Sequence, residues 1–135
     1  MSRTVKLVDS RVITAAGTVT DTYGEVHEDV QGMSLWANFT HGSGGTSCKA
    51  YVQTSFDGTN WIDVACFAFT TSSAGKTLCV KGDQADAAAN TATDGSLSDD
   101  TATFGVVGRY IQVKTVSVGT YGDSTTLDLW AKFRG

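Results

Sequence analysis

The chain contains no proline, so its turns must be built from glycine, asparagine, aspartate and serine. It also lacks the long runs of Leu, Glu and Lys that favour helices. It has instead twenty threonines, fifteen glycines and many valines. β-Branched residues suit a pleated, half-buried surface and glycine suits turns and bulges, so this composition predicts an all-β protein.

Residues that carry catalysis or hold metals are also scarce. The two histidines, His27 and His41, lie in polar stretches, and no nucleophile–base–carboxylate set can be assigned around them. The three cysteines, Cys48, Cys66 and Cys79, form no CxxC pair, and a zinc site would need a fourth ligand at suitable spacing. No EF-hand spacing occurs among the carboxylates. We therefore expect a protein that is not an enzyme and that has no cofactor.

The charge pattern argues against two classes of partner. The formal net charge is −4, which disfavours capture of nucleic acid or of an anionic membrane. The basic residues of the C-terminal part are too dispersed to form a nucleic-acid stripe: Arg109, Lys114, Lys132 and Arg134. The apolar runs are far shorter than a membrane-spanning helix, and the first ten residues alternate instead of forming a signal peptide. We expect synthesis in a cytoplasm.

A hairpin over residues 51–69 is the strongest structural signal. Two β-rich runs flank Asp57-Gly58-Thr59-Asn60, a linker of strong turn formers. Both faces of these runs are apolar, which predicts central strands covered on both sides or by a partner subunit. Period-two alternation marks two further strands, with inward faces at Met33, Leu35, Ala37 and Phe39 and at Leu127, Leu129, Ala131 and Phe133.

These strands define the expected architecture. At 135 residues the chain fits one domain, residues 1–135, since domains commonly contain about 100–150 residues. Short strands at regular spacing with glycine-rich turns predict a single antiparallel β-sandwich, jelly-roll-like, with seven to nine strands. Residues 82–100 are small, polar and acidic with no apolar periodicity, which predicts one long flexible loop.

Aromatic and acidic residues supply the candidates for contact with a partner. Four aromatic side chains lie on the less apolar or ambiguous face of their strands: Trp36, Tyr51, Trp61 and Trp130. If exposed, such rings suit a protein interface or a platform on which sugars stack. The acidic loop adds carboxylates that would contact a partner or supply oxygens to calcium: Asp94, Asp99 and Asp100.

Two stretches resemble small β-sandwich virion proteins of tailed bacteriophages, of the head-decoration or head-spike type. The first is a Q-x-S-x-D-G-x-x-W-x-D hairpin, matched here by Gln53, Ser55, Asp57, Gly58, Trp61 and Asp63. The second is a closing hairpin, GRYIQVK … LDLWAK, over residues 108–132. The resemblance covers roughly the C-terminal two-thirds of the chain, and its motifs mark turns rather than chemistry.

The resemblance implies a non-enzymatic virion component. It points first to a capsid decoration (cement) protein that lies on the capsid surface and bridges neighbouring capsid subunits. Its partners would be the major capsid protein and copies of itself, in a dimer or trimer, and residues 1–10 and 82–100 would be arms that reach them. The alternatives are a carbohydrate- or receptor-binding module on a virion spike or fibre, which would bind a glycan, and a head–tail connector or tail component.

Overall fold

A computed structural model describes residues 2–26, 29–80, 89, 91–103 and 107–134. Within these ranges the regular structure is entirely β. The strands are β1 (Ser2–Val12), β2 (Gly17–Glu25), β3 (Gly32–Thr40), β4 (Ser43–Gly44), β5 (Ser47–Ser55), β6 (Ile62–Phe69), β7 (Ala74–Val80), β8 (Thr101–Ala102), β9 (Tyr110–Val118), β10 (Tyr121–Gly122) and β11 (Thr126–Arg134).

The strands form two antiparallel sheets that pack face to face. One has the order β1-β11-β3-β7 and the other β2-β9-β5-β6-β8, while β4 and β10 form a short separate ribbon. Among the eight long strands, every connection except the β5–β6 hairpin crosses from one sheet to the other. Each sheet contains four of the eight long strands, since β8 has only two residues. Two four-stranded sheets connected in this way are the arrangement of a jelly roll. The prediction of an antiparallel, jelly-roll-like sandwich is therefore confirmed.

The core lies between the sheets and uses the predicted inward faces. The alternate residues of β3 and β11 named above are all at most 3% exposed. Phe39 of β3 stacks on Phe69 of β6 with ring centroids 4.9 Å apart, so this pair joins the two sheets. The rings of Tyr121 and Phe39 are in a T-shaped arrangement with centroids 5.8 Å apart. The Tyr121 hydroxyl donates a hydrogen bond to the Thr70 carbonyl at 2.7 Å. Buried aromatic pairs of this kind contribute about 0.5–1.5 kcal/mol beyond their area.

The predicted turn of the β5–β6 hairpin is held by one carboxylate. Asp57 Oδ1 accepts hydrogen bonds from the amides of Thr59 and Asn60, at 2.9 and 2.8 Å. Gly58 has a φ of 79°, in the left-handed region that glycine adopts at little cost. The backbone hydrogen bond from Asn60, followed by that from Thr59, holds the pKa of Asp57 well below its ordinary value. The turn is therefore fixed by side-chain-to-backbone bonds.

The N-terminal residues correct one expectation. Residues 2–10, suggested above as part of an arm, belong to β1. This strand pairs with β11, and the first cross-strand pair is Ser2 with Arg134. Register shifts between Lys6 and Val8 allow both Leu7 and Val8 to be buried, at 6% and 1% exposure. The alternation at the start of the chain is thus that of an edge strand. No helix in the described ranges is long and apolar enough to cross a membrane.

Candidate functional site

The outer face of the β1-β11-β3-β7 sheet carries two tryptophans side by side. Trp36 of β3 and Trp130 of β11 are direct cross-strand partners, and both occupy outward positions of their strands. Trp36 is 45% exposed and Trp130 is half-buried. A groove of about 670 Å³ runs over them. We call it the tryptophan groove; it is lined by Thr4, Ser34, Trp36, Thr77, Trp130 and Lys132, among others.

Small neighbours keep the groove open. Thr77 of β7 is opposite Trp36, so the Trp36 indole has only a small cross-strand neighbour on that side. Ser34, opposite Lys132, is another small residue of the lining. A Cβ added at Gly75 would lie 3.2 Å from Trp36 Nε1, closer than ordinary contact. The glycine therefore leaves the space in which the Trp36 ring lies.

The charges around the groove are arranged unevenly. Lys6 Nζ lies 4.8 Å from the centroid of the Trp130 ring and bridges Asp9 at 2.9 Å and Asp128 at 3.1 Å. Burial acts to raise the pKa of Asp128, but hydrogen bonds from the Ser10 amide and from Lys6 outweigh it and hold that pKa below its ordinary value. On the β1 side of Trp130, one lysine is therefore paired with two carboxylates of the same chain.

Two cations follow Trp130 on β11: Lys132, which lines the groove, and Arg134, the next outward residue of the strand. Lys132 has no carboxylate partner in the described part of the chain, and neither has Arg134, whose Nη2 donates to Cys79 Sγ at 2.7 Å. Taken together with Arg109 and Lys114, these two cations look dispersed in the sequence. The signal that would have found them is their alternation with Trp130 along β11.

The second polar cluster lies on the opposite side of the molecule, outside the β2-β9-β5-β6-β8 sheet. The carboxylate of Asp63 is 2% exposed and accepts hydrogen bonds from the amides of Gly95 (2.7 Å), Ser96 (3.0 Å) and Leu97 (3.2 Å). The Thr93 hydroxyl donates to it at 2.8 Å. We call these contacts the Asp63 clamp.

Two glutamines extend the clamp across the sheet. Gln53 Nε2 donates to Asp63 at 2.8 Å and to Asp94 at 2.6 Å, and its Oε1 accepts from Gln112 Nε2 at 2.7 Å. Burial acts to raise the pKa of Asp63, but the hydrogen bonds from Gln53 and from the backbone outweigh it and lower that pKa. An ionised, buried carboxylate is thus stabilised by donors from β5 and from one loop, and Gln112 of β9 holds the donating Gln53 in place.

The clamp revises the prediction for the long acidic loop. Residues 82–88 and 90 lie outside the described residues, but 91–100 packs on its own sheet instead of projecting as an arm. The three candidate carboxylates make ion pairs within the chain: Asp94 with Lys114 (3.2 Å), Asp99 with Lys49 (2.8 Å) and Asp100 with Lys76 (2.8 Å). Asp100 also accepts from the Ala68 amide at 3.0 Å.

The four candidate aromatic residues are divided by the structure. Tyr51, on the outer side of β5, is 5% exposed, so it is not available to a partner in this conformation. Trp61 is half-buried beside the β5–β6 turn, on the sheet opposite the tryptophan groove. Only Trp36 and Trp130 are brought together at an open surface.

The other reactive groups of the described residues include two buried thiols and one histidine, His41. Burial raises the pKa of the Cys48 thiol to about 11, and burial first and the charge of Asp99 second raise that of Cys66 to about 11. Both thiols are therefore protonated at neutral pH and poor nucleophiles. The Nε2 atom of His41 lies 2.9 Å from the carbonyl oxygen of Gly44. Among the described residues no group of three or more His, Cys, Asp or Glu is placed to hold a metal ion.

Comparison with known proteins identifies no family for this chain. No protein-family model matches the chain, and no curated protein does. One solved structure, that of infectious bursal disease virus strain Gx, is similar at 15% identity with a TM-score of 0.38. The match covers 98% of this chain, which spans 30% of the length of that one. At so low a TM-score the similarity supports no conclusion about function.

Proposed function

We propose that the protein is a non-enzymatic structural component of a virion, a capsid decoration protein that docks on neighbouring capsid subunits through the tryptophan groove. It would be made in the host cytoplasm and act on the capsid surface, with the major capsid protein and further copies of itself, in a dimer or trimer, as partners. The observation that carries this proposal is the pair of adjacent indoles on an open sheet face, Trp36 exposed and Trp130 half-buried.

The contrast between the two outer faces supports a docking role. Residues 91–100 cover part of the five-stranded sheet, whereas the described chain leaves the groove over Trp36 and Trp130 open. Tryptophan is among the residues that contribute most binding energy at protein interfaces, since one side chain supplies a large, rigid apolar area. Jelly rolls are used in viral capsids but also in lectins and cupins, so the fold alone supports a virion role only by analogy.

Co-sedimentation with undecorated capsids of the parent virus tests the proposal. We expect saturable binding in a fixed ratio to the major capsid protein, and loss of binding by at least about tenfold for Trp36→Ala or Trp130→Ala, as for truncation of a typical hot-spot residue. Phe56→Ala is the matched control, because Phe56 is 64% exposed but lies in the β5–β6 turn. The proposal would be contradicted if the wild type did not bind capsids, or if both tryptophan variants bound them as strongly as the wild type.

A carbohydrate-binding module is the second candidate. The observation that favours it is the same pair of indoles with hydroxyl groups of Ser34 and Thr77 in the groove lining, since stacking rings and hydroxyl partners suit a sugar. A glycan array distinguishes the two. Glycan binding that is lost in Trp36→Ala, without attachment to capsids, would replace the decoration role by a receptor-binding one.

A further inference from the structure

Most described lysines and arginines are neutralised within the chain. Carboxylate partners are present for Lys6, Arg11, Lys49, Lys76, Arg109 and Lys114. Of the others, Arg3 lines a separate cavity of about 110 Å³ together with Glu25 and Asp29. Lys132 and Arg134 are thus two uncompensated cations on one face of a protein whose net charge is −4.

Their spacing is fixed by the strand that carries them. Lys132 and Arg134 are consecutive outward positions of β11, and both are exposed. Residues i and i+2 of a strand lie about 6.8 Å apart along it, since each residue advances the strand by about 3.4 Å. Trp130 is the preceding outward residue, so β11 presents one indole and two cations at this regular spacing.

We propose that the tryptophan groove binds an extended acidic segment of a protein partner, with carboxylates at alternate positions that pair with Lys132 and Arg134. An extended chain places its own alternate side chains at the same interval, so two carboxylates can meet both cations at once. Less polar atoms of the segment then pack on Trp36 and Trp130. This inference rests on the proposed function, in which the segment belongs to a capsid subunit.

The matched spacing favours a peptide over an acidic sugar. A terminal acidic monosaccharide carries a single carboxylate and would leave one of the two cations unpaired. A peptide with alternating acids leaves neither unpaired, and its attraction to the groove should weaken as salt is added, because both cations are exposed.

Two synthetic peptides of identical composition test the spacing. One alternates Thr and Glu strictly; in the other, adjacent Glu pairs are separated by adjacent Thr pairs, so no two glutamates stand two residues apart. Binding is followed by tryptophan fluorescence at low ionic strength. We expect the alternating peptide to bind at least about fivefold more tightly than its isomer, and Lys132→Glu to weaken it by about tenfold, the size expected for reversing a charge that meets a carboxylate.

Arg109→Glu is the control variant, because it changes the net charge by the same amount at an exposed position just before β9, which belongs to the other sheet. We expect it to bind the alternating peptide like the wild type. Lys132→Gln should show an intermediate loss, and unchanged thermal unfolding would show that both Lys132 variants are folded. Equal affinity for the two peptides, or equal weakening by Lys132→Glu and Arg109→Glu, would overturn the inference, as would a sialylated glycan that binds while neither peptide does.

Capsid binding separates this inference from the proposed function. If Lys132→Glu attaches to capsids as tightly as the wild type, the acidic-segment inference fails and the decoration role stands. If the alternating peptide binds but capsids do not, the decoration role fails and the preference of the groove for acidic segments stands.

Discussion

Replacing the buried carboxylate of the Asp63 clamp should release residues 91–100 from the sheet. Asp63→Asn preserves the shape of the side chain but leaves one acceptor oxygen where five donor groups converge, and its own NH2 group faces those donors. Hydrogen bonds to a charged group contribute about 1.5–3 kcal/mol each, but these are not additive because a released segment can hydrate its amides. We expect the free energy of unfolding to fall by about 3–5 kcal/mol, since at least two of the donors would lose their acceptor at about 1–3 kcal/mol each.

Urea unfolding gives this magnitude, and hydrogen exchange shows where the loss occurs. The amides of Gly95, Ser96 and Leu97 should exchange slowly in the wild type and rapidly in Asp63→Asn, since they donate to the altered group. Asp99→Asn is the control: its ion pair with Lys49 is exposed, so its removal should lower the free energy of unfolding by no more than about 1 kcal/mol.

The reasoning would be refuted by an Asp63→Asn variant that unfolds at the wild-type urea concentration and still protects those three amides. Such a result would mean that the desolvation of Asp63 cancels its hydrogen bonds and that other contacts hold the segment. A variant with exposed amides but unchanged global stability would mean that the segment docks independently of the sandwich.

Two further predictions concern acid and the core. The pKa of Asp63 in the folded protein lies below its ordinary value of 3.8. The stability that the ionised carboxylate contributes is therefore present above pH 3.8 and is lost as the pH falls through the folded pKa. Urea titrations at a series of pH values should show that the stability difference between wild type and Asp63→Asn shrinks on acidification. Gly45→Ala should cost about 3 kcal/mol or more, because Gly45 has a φ of 78° and an added Cβ would lie 2.2 Å from the buried Tyr121 ring. Gly24 has a φ of 109° and nothing near an added Cβ, so Gly24→Ala measures the cost of backbone strain alone. Equal shifts of the melting temperature in the two variants would mean that the contact with Tyr121 adds no cost.

The parts of the fold that the sequence predicted are those that local pattern determines. The alternation in β3 and β11 correctly assigned which residues face the core, and it assigned Trp36 and Trp130 to the outer face for the same reason. The β5–β6 turn was predicted because Asp57 and its neighbours act over three residues. Such signals do not depend on the distant chain.

The features that the sequence did not predict depend on contacts between residues far apart in the chain. The pattern of β5 predicted that both of its faces are covered, but it could not show that residues 91–100, more than thirty positions away, are the cover near Asp63. The acidic composition of that segment resembles a free arm, since its carboxylates find lysines only in the folded structure. The pairing of Trp36 with Trp130 likewise required the strand order, which places β11 beside β3.

The different treatment of the two outer faces is the strongest argument for where a partner lies. On the five-stranded sheet, outward residues such as Tyr51 and Gln53 are buried because residues 91–100 pack in their vicinity. On the four-stranded sheet the outward positions are mostly small or charged, which water solvates well, and yet two of them are tryptophan. An exposed indole gains nothing from water, and a Cβ at Gly75 would crowd the Trp36 ring. A second surface that covered the exposed part of these indoles would stabilise them further, so the tryptophan groove is where we expect the partner to bind.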